Sequence, residues 1–204
     1  MNNKPSPQHH DSCIVMFARA PVKGQVKTRL IPALGEQGAL DMHMKLMNRQ
    51  IEVLNNFELC PIQLWVDQFQ EHAVFKIFKG EVKLQKGAGL GEKMLHAAED
   101  VLRGSTKVVI IGSDCPGIDK GYLELALLEL DKSANDVVLG PALDGGYVLI
   151  AMKYPHREIF QNIDWGSEYV LEQTINKLDH YGLGYSTLPA LRDIDTAEDL
   201  ESVL

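Results

Sequence analysis

Lys107-Val108-Val109-Ile110-Ile111-Gly112-Ser113-Asp114-Cys115-Pro116 is the stretch on which the fold turns. Residues 107–111 form an apolar, β-branched run of the kind buried in a central parallel strand, where both faces are covered and alternation disappears. The run stops at Gly112 and gives way to a hydroxyl, a carboxylate and a thiol before Pro116. Three other polar clusters also sit where an apolar run ends: residues 19–29, Asp144-Gly145-Gly146-Tyr147 and Asp193-Ile194-Asp195-Thr196. In an alternating β/α chain, strand ends collect at one edge of the sheet. Lys and Arg from the first cluster would then meet carboxylates from the other three in a common crevice. That is the inventory needed to hold a nucleotide phosphate and its metal.

Outward from that strand the chain alternates throughout, with no internal repeat. Residues 13–18 read as a short strand ending in a basic loop punctuated by Pro21 and Gly24. Leu40, Met44, Met47, Ile51 and Leu54 recur at helical spacing and predict a helix over 36–55. A strand at 62–66, a short helix over 72–78 and a weak strand at 82–84 follow. Met94, Ala98, Val101 and Leu102 trace a second helical stripe. Beyond the central run, a helix over 120–130 with Asp119 as cap leads to a strand at 136–139. The next strand, 147–152, comes only a few residues later. A parallel crossover needs about a dozen residues, so this strand pairs antiparallel or lies at an edge, and the sheet is mixed. A helix over 167–178, a strand near 184–188 and a helix from Thr196 complete a single-domain, Rossmann-like α/β sandwich of three layers.

Composition sets the class. A chain of 204 residues fits one domain that buries roughly 70% of its unfolded surface, and the expected division is a tail over 1–11 and a domain over 12–204. The start is polar with Pro5 and Pro7, without the apolar core of a signal peptide, and is read as the frayed tail of a cytoplasmic protein, with His9 and His10 solvated. No stretch is apolar over a membrane-spanning length. A net charge of −8 argues against general affinity for nucleic acid or anionic membrane, since counterion release needs a basic face. Small anionic ligands stay open, given local positive charge or a divalent cation. Cys13, Cys60 and Cys115 match neither a zinc nor a disulfide framework and read as reduced thiols.

The first loop supplies Arg19, Lys23, Gly24, Lys27 and Arg29 as candidate phosphate ligands. It is not a P-loop, because Val26 precedes Lys27 where the Walker pattern needs Gly. A solvated basic turn would use the same residues. Gly87, Gly89 and Gly91, with Lys93, form a Gly-rich entry to a helix that could offer backbone N–H groups to a nucleotide or simply cap the helix. Asp114 suits magnesium, which needs only one or two protein carboxylates beside substrate phosphates. Asp144-Gly145 is a hairpin signal, and Gly145, Gly146 and Tyr147 also make a wall for a sugar or base. Asp195 reads as a second metal ligand, and Thr196 with Asp199 as a capping box. Trp165 reads as a lid on the core or a platform for ligand. His43, His72, His96, His156 and His180 have no metal spacing and read as structural or solvated.

The loop over 20–30, the 112–116 strand end, Gly140-Pro141-Ala142-Leu143-Asp144-Gly145-Gly146-Tyr147, Trp165-Gly166-Ser167 and Asp193-Ile194-Asp195-Thr196 together resemble the DUF2064 family, in order from about Cys13 to the C-terminus. That family is grouped with the glycosyltransferase-A-like, nucleotide-diphospho-sugar transferases, and is also similar to the guanylyltransferases of cofactor F420 and molybdopterin synthesis. The resemblance implies a mixed sheet with nucleotide at the strand ends, Lys27 and Arg29 on phosphate, and magnesium or manganese on Asp114 with help from Asp195. It places Asp144 with Gly145, Gly146, Tyr147, Trp165 and Ser167 on the acceptor or sugar side. Catalysis would rest on Asp114 and Asp144. The implied function is transfer from a nucleotide-sugar to a small-molecule acceptor; transfer of a nucleotidyl group from a triphosphate, and nucleotide binding without turnover, are the alternatives. The chain departs from the family pattern at Gly89, where the glycine loop loses its acid, at Lys93, where it loses an Arg, and at Val148, which stands for a second Tyr. Gly112 leaves no Asp-x-Asp at Asp114.

Overall fold

The computed structural model describes residues 11–69 and 72–200. The expected tail falls outside these apart from Asp11, which is tied down: its carbonyl accepts from Thr106 N at 2.7 Å and its carboxylate from Thr106 Oγ1 at 2.6 Å.

Seven strands form one sheet: β1 (Ser12–Ala18), β2 (Ile62–Val66), β3 (Glu81–Leu84), β4 (Lys107–Gly112), β5 (Val137–Pro141), β6 (Tyr147–Met152) and β7 (Tyr185–Thr187). Their order is β3-β2-β1-β4-β6-β5-β7. β6 alone runs against its neighbours, pairing antiparallel with β4 and β5. Of the two placements expected for it, the antiparallel one holds and the edge does not: β6 lies inside the sheet, with four of its six residues 1% exposed or less. The short 142–146 turn forces the reversal, while its all-apolar sequence requires cover on both faces.

Helices cover both faces. α1 (Ile31–Asn55), α2 (Ala73–Ile77) and α4 (Lys120–Asp131) lie on one side, where Met47, Ile51, Leu54, Leu123 and Leu127 pack on Ile14, Met16, Leu64 and Val109. On the other, α3 (Leu90–Val101) and α5 (Val170–Tyr181) pack Met94, Ala98 and Leu178 on Val15, Ile110 and Ile150. The predicted 36–55 helix is present, preceded by a turn from Ile31 that the α1 span takes in. The break falls at Gly35, whose φ of 69° interrupts the helical path, so residues 31–34 form a separate turn. A final short helix, α6 (Ala197–Leu200), opens with half of the expected box: Asp199 Oδ2 accepts from Thr196 N at 2.8 Å, but the Thr196 hydroxyl donates to the same oxygen and Asp199 N bonds the Thr196 carbonyl.

The chain grows outward from β1 through β2 to β3, then returns by α3 to place β4 on the other side of β1. This reversal makes β1 and β4 neighbours, so the loops after them meet at the carboxyl edge where an open α/β sheet makes its crevice. No helix among the described residues is long and apolar enough to cross a membrane.

Candidate functional site

Residues 19–30 leave β1 and turn back toward the sheet at Lys27, whose φ of 48° lies in the left-handed region. That turn sends the lysine inward. Its side chain is 3% exposed; Nζ donates to Ile194 O at 2.5 Å and lies 3.0 Å from Asp114 Oδ2 and 3.6 Å from Asp195 Oδ1. Ile194 O and Asp114 hold the ammonium closely, while Asp195 at 3.6 Å is an ion pair beyond hydrogen-bond reach. Arg29, two residues on, is exposed and reaches Asp195 Oδ2 at 2.8 Å. The first, second and fourth clusters thus meet, with Lys27 as the internal tie and Arg29 as the cation that faces outward. Arg19 bonds Gln25 O at 3.4 Å on the surface, and Lys23 is exposed.

Asp114 is held from several directions. Its carbonyl accepts from Ile194 N at 3.0 Å, and Ser113 Oγ donates to Oδ1 at 3.2 Å. Behind it, Gln50 Nε2 donates to Cys115 O at 2.5 Å, while Cys115 Sγ faces Arg192 O at 3.3 Å. His43 Nε2 sits 3.0 Å from Arg19 O; burial lowers its pKa despite the nearby Asp114 charge. All three cysteines are buried free thiols, pushed up by desolvation to about 11 at Cys115 and about 12 at Cys13 and Cys60, so none is a ready nucleophile.

The 142–146 turn delivers the third cluster. Asp144 Oδ1 accepts from Gly146 N at 2.9 Å, an Asx turn. Gly145 has φ 90° and its position is so crowded that a Cβ would overlap the Glu168 carbonyl, so only glycine fits. Its carbonyl accepts from Leu171 N at 2.9 Å, docking the start of α5. Tyr147 meets Trp165 edge-on, ring centroids 6.3 Å apart, and its phenol is buried and titrates above its normal range.

Two cavities flank this turn. One, of about 200 Å³, is walled by Phe17, Ile110, Tyr147, Val148 and Trp165, and Gly112, Gly146 and Ser167 also reach it. The other, of about 220 Å³, carries Arg29, Arg192 and Asp195. Asp144 and Asp193 line both. Asp193 is the residue that motif reading quoted without giving it a role. Burial, then the neighbouring Asp144 charge, raises its pKa from 3.8 to about 6. Its sequence signal was position alone, two residues before Asp195.

The glycine loop lies apart, along a groove of about 950 Å³ between α3 and residues 157–165. Gly87, Gly89 and Gly91 line it with Trp165; Lys93 lines none of these cavities. The three glycines differ. A Cβ at Gly91 would come within 2.8 Å of the Trp165 indole and 2.7 Å of Phe160 O, so this glycine seats the tryptophan, whereas a Cβ at Gly89 would meet nothing within 4 Å. Trp165 is therefore both packed on α3 and exposed to two cavities. His72 accepts from Val74 N as cap of α2, and His96 packs edge-on against Trp65.

Residues 50–167 match the model of a family described as an uncharacterized protein conserved in bacteria, DUF2064. The chain belongs to the DUF2064 family. A solved structure from Desulfovibrio desulfuricans G20, provisionally named a nucleotide-diphospho-sugar transferase, is 30% identical with a TM-score of 0.86, over 95% of this chain and 86% of that one. Two more distant structures share the fold. A 4-diphosphocytidyl-2C-methyl-D-erythritol synthase from Anaerococcus prevotii is 10% identical, with a TM-score of 0.62 and coverage of 98% and 97%. A CMP:2-keto-3-deoxy-manno-octonic acid synthetase complexed with CTP is 13% identical, with a TM-score of 0.60 and coverage of 95% and 96%. No curated protein matches the DUF2064 chain significantly.

Proposed function

We propose that this DUF2064 protein is a nucleotide-utilising transferase that takes a nucleotide-sugar and a divalent cation and passes the sugar to a small-molecule acceptor. One observation carries the reading: Asp144 and Asp193 form the shared wall of an apolar cavity and of a charged one, where Arg29 and Arg192 face four carboxylates, at the carboxyl edge of the sheet. The diphosphate belongs with Arg29 and Arg192, which pair with Asp195 and Asp199, and needs the divalent cation to offset the carboxylates there; the acceptor lies on the other side, and transfer crosses the carboxylates. The provisional name of the 30% identical relative supports a sugar donor.

The donor set fits a hard cation. Asp114 and Asp195 converge on the Lys27 ammonium, at 3.0 and 3.6 Å, and Asp193 is raised by burial and by the Asp144 charge, which a cation would relieve. Among the described residues no three His, Cys, Asp or Glu side chains form a ready cage. Magnesium or manganese, held by Asp114 with Asp193 or Asp195, would complete its shell with phosphate oxygens and water. Bound there, it neutralises charge on the diphosphate. The chain's own part is to orient: Lys27 fixes Asp114 and Asp195, Arg29 meets the phosphates, and the Asx turn aims Asp144 at the acceptor.

Mass spectrometry of the products tests this, with magnesium and panels of nucleotide-sugars and nucleoside triphosphates. Release of nucleoside diphosphate supports glycosyl transfer. Release of pyrophosphate with an intact nucleotidyl product replaces it by nucleotidyl transfer, the reaction class that shares this fold in the two cytidylyl enzymes. Tight nucleotide binding with no product across the panels makes it a binding module.

A further inference from the structure

The apolar cavity beside Asp144 narrows the acceptor. Its walls are mostly hydrocarbon and aromatic, and the polar side chains it offers gather at one end: the carboxylates of Asp144 and Asp193 and the hydroxyl of Ser167, together with the buried Tyr147. A sugar acceptor carries a hydroxyl on nearly every carbon. Each would lose water against Phe17, Ile110, Val148 and Trp165 without a partner, which opposes binding. A hydrocarbon body gains from the same walls. The volume, about 200 Å³, equals roughly seven waters at about 30 Å³ each, room for one ring and short substituents.

Gly112 makes this room. Along β4, Val108 and Ile110 face the α3 side of the sheet, and Gly112 follows them in that alternation. A Cβ there would meet nothing within 4 Å. A side chain at 112 would therefore project into open space at the cavity instead of into packed core.

Resting on the transferase reading above, we propose that the acceptor is a small, largely apolar alcohol, a ring or branched hydrocarbon with one hydroxyl, seated between Gly112, Tyr147 and Trp165 with that hydroxyl at Asp144. In the transfer, the sugar C1–O bond to the diphosphate breaks and its electron pair leaves with the nucleoside diphosphate. The acceptor oxygen forms the new bond to C1, and its proton passes to the Asp144 carboxylate and on to water. The nucleotide base is not the occupant, because its several edge donors and acceptors would face the same unmatched walls.

Benzyl alcohol and myo-inositol are the probes, titrated into the full chain by calorimetry, with nucleotide binding measured separately on the same samples. Benzyl alcohol binds and inositol does not. Gly112→Leu abolishes benzyl alcohol binding while the melting temperature and nucleotide affinity hold. Should Gly112→Leu fold poorly, Leu90→Asp serves: Leu90 is 46% exposed at the cavity rim and opens α3, where an acid is tolerated. It also weakens benzyl alcohol binding. Inositol binding as well as benzyl alcohol, or benzyl alcohol binding undiminished in both variants, overturns the proposal. So does competition between benzyl alcohol and nucleotide, which would place the base in the cavity. A wild-type protein that binds no nucleotide at all sinks the transferase reading while leaving the alcohol titration legible on its own.

Discussion

The Lys27 ammonium lies 3.0 Å from Asp114 Oδ2, yet the lysine side chain is 3% exposed and the aspartate 44%. A buried cation thus holds a carboxylate that still faces the crevice. With Ile194 O and Asp195 also on Nζ, one side chain ties the loop after β1 to the end of β4 and to the 193–195 segment. The two basic residues that sequence reading grouped as phosphate ligands therefore have separate work.

Lys27→Met should destabilise the protein by about 1–3 kcal/mol, because it leaves Ile194 O and Asp114 short of a donor and Asp195 short of a cation. Arg29→Ala should leave stability within about 0.5 kcal/mol, since its ion pair with Asp195 is exposed. Nucleotide affinity should respond in the opposite order, falling by roughly 1.5–3 kcal/mol in Arg29→Ala. Urea unfolding and calorimetry on both variants check this. An Arg29→Ala protein that binds nucleotide as the wild type does would remove Arg29 from the site.

Glycines separate by what surrounds them. Gly89 has an extended φ of −128° and open space, so Gly89→Ser at this cap position should hold or raise the melting temperature. Gly91→Ala should lower it and shift Trp165 fluorescence, because the new methyl must displace the indole or Phe160 O. Equal melting temperatures for the two variants would contradict the packing.

Sequence patterning made the strands, helices and mixed sheet legible because apolar period and turn length are local properties. What it left open is what depends on spatial neighbours. The order that buries β6 between β4 and β5 is set by pairing across the sheet, so an edge was an equal expectation. Lys27 reads as a surface cation until its left-handed φ turns it inward. Gly91 reads as part of a phosphate loop until Trp165, 74 residues on, is seen against it. Asp193 acquires meaning only beside Asp144.

Asp193 gives a pH signature. Its pKa rises from 3.8 unfolded to about 6 folded, so the folded state binds the extra proton between those values. Its contribution to stability is therefore full below about pH 4 and is lost as pH climbs through about 6. Asp193→Asn removes an acid that is unfavourably ionised at neutral pH. The variant should melt higher than wild type at pH 7.5, with the gap shrinking toward pH 4; a gap that does not depend on pH would show that this carboxyl is not raised. Activity should fall in the variant, as expected where stability is given up for a site.

Asp114 is the sharpest test of the metal. Asparagine keeps its shape and leaves Lys27 with Ile194 O and Asp195, so the fold should survive the change. If Asp114 anchors the cation, Asp114→Asn loses the magnesium dependence of nucleotide binding, because phosphate oxygens alone cannot complete the protein side of the shell. If its role ends at the ion pair, the freed Lys27 charge strengthens metal-free nucleotide binding and magnesium dependence stays as in wild type. Calorimetric titration of nucleotide with magnesium and with excess chelator, on wild type and variant, separates the two. An unchanged ratio of the two affinities in the variant would end the metal assignment and leave Asp114 as the partner that keeps Lys27 buried.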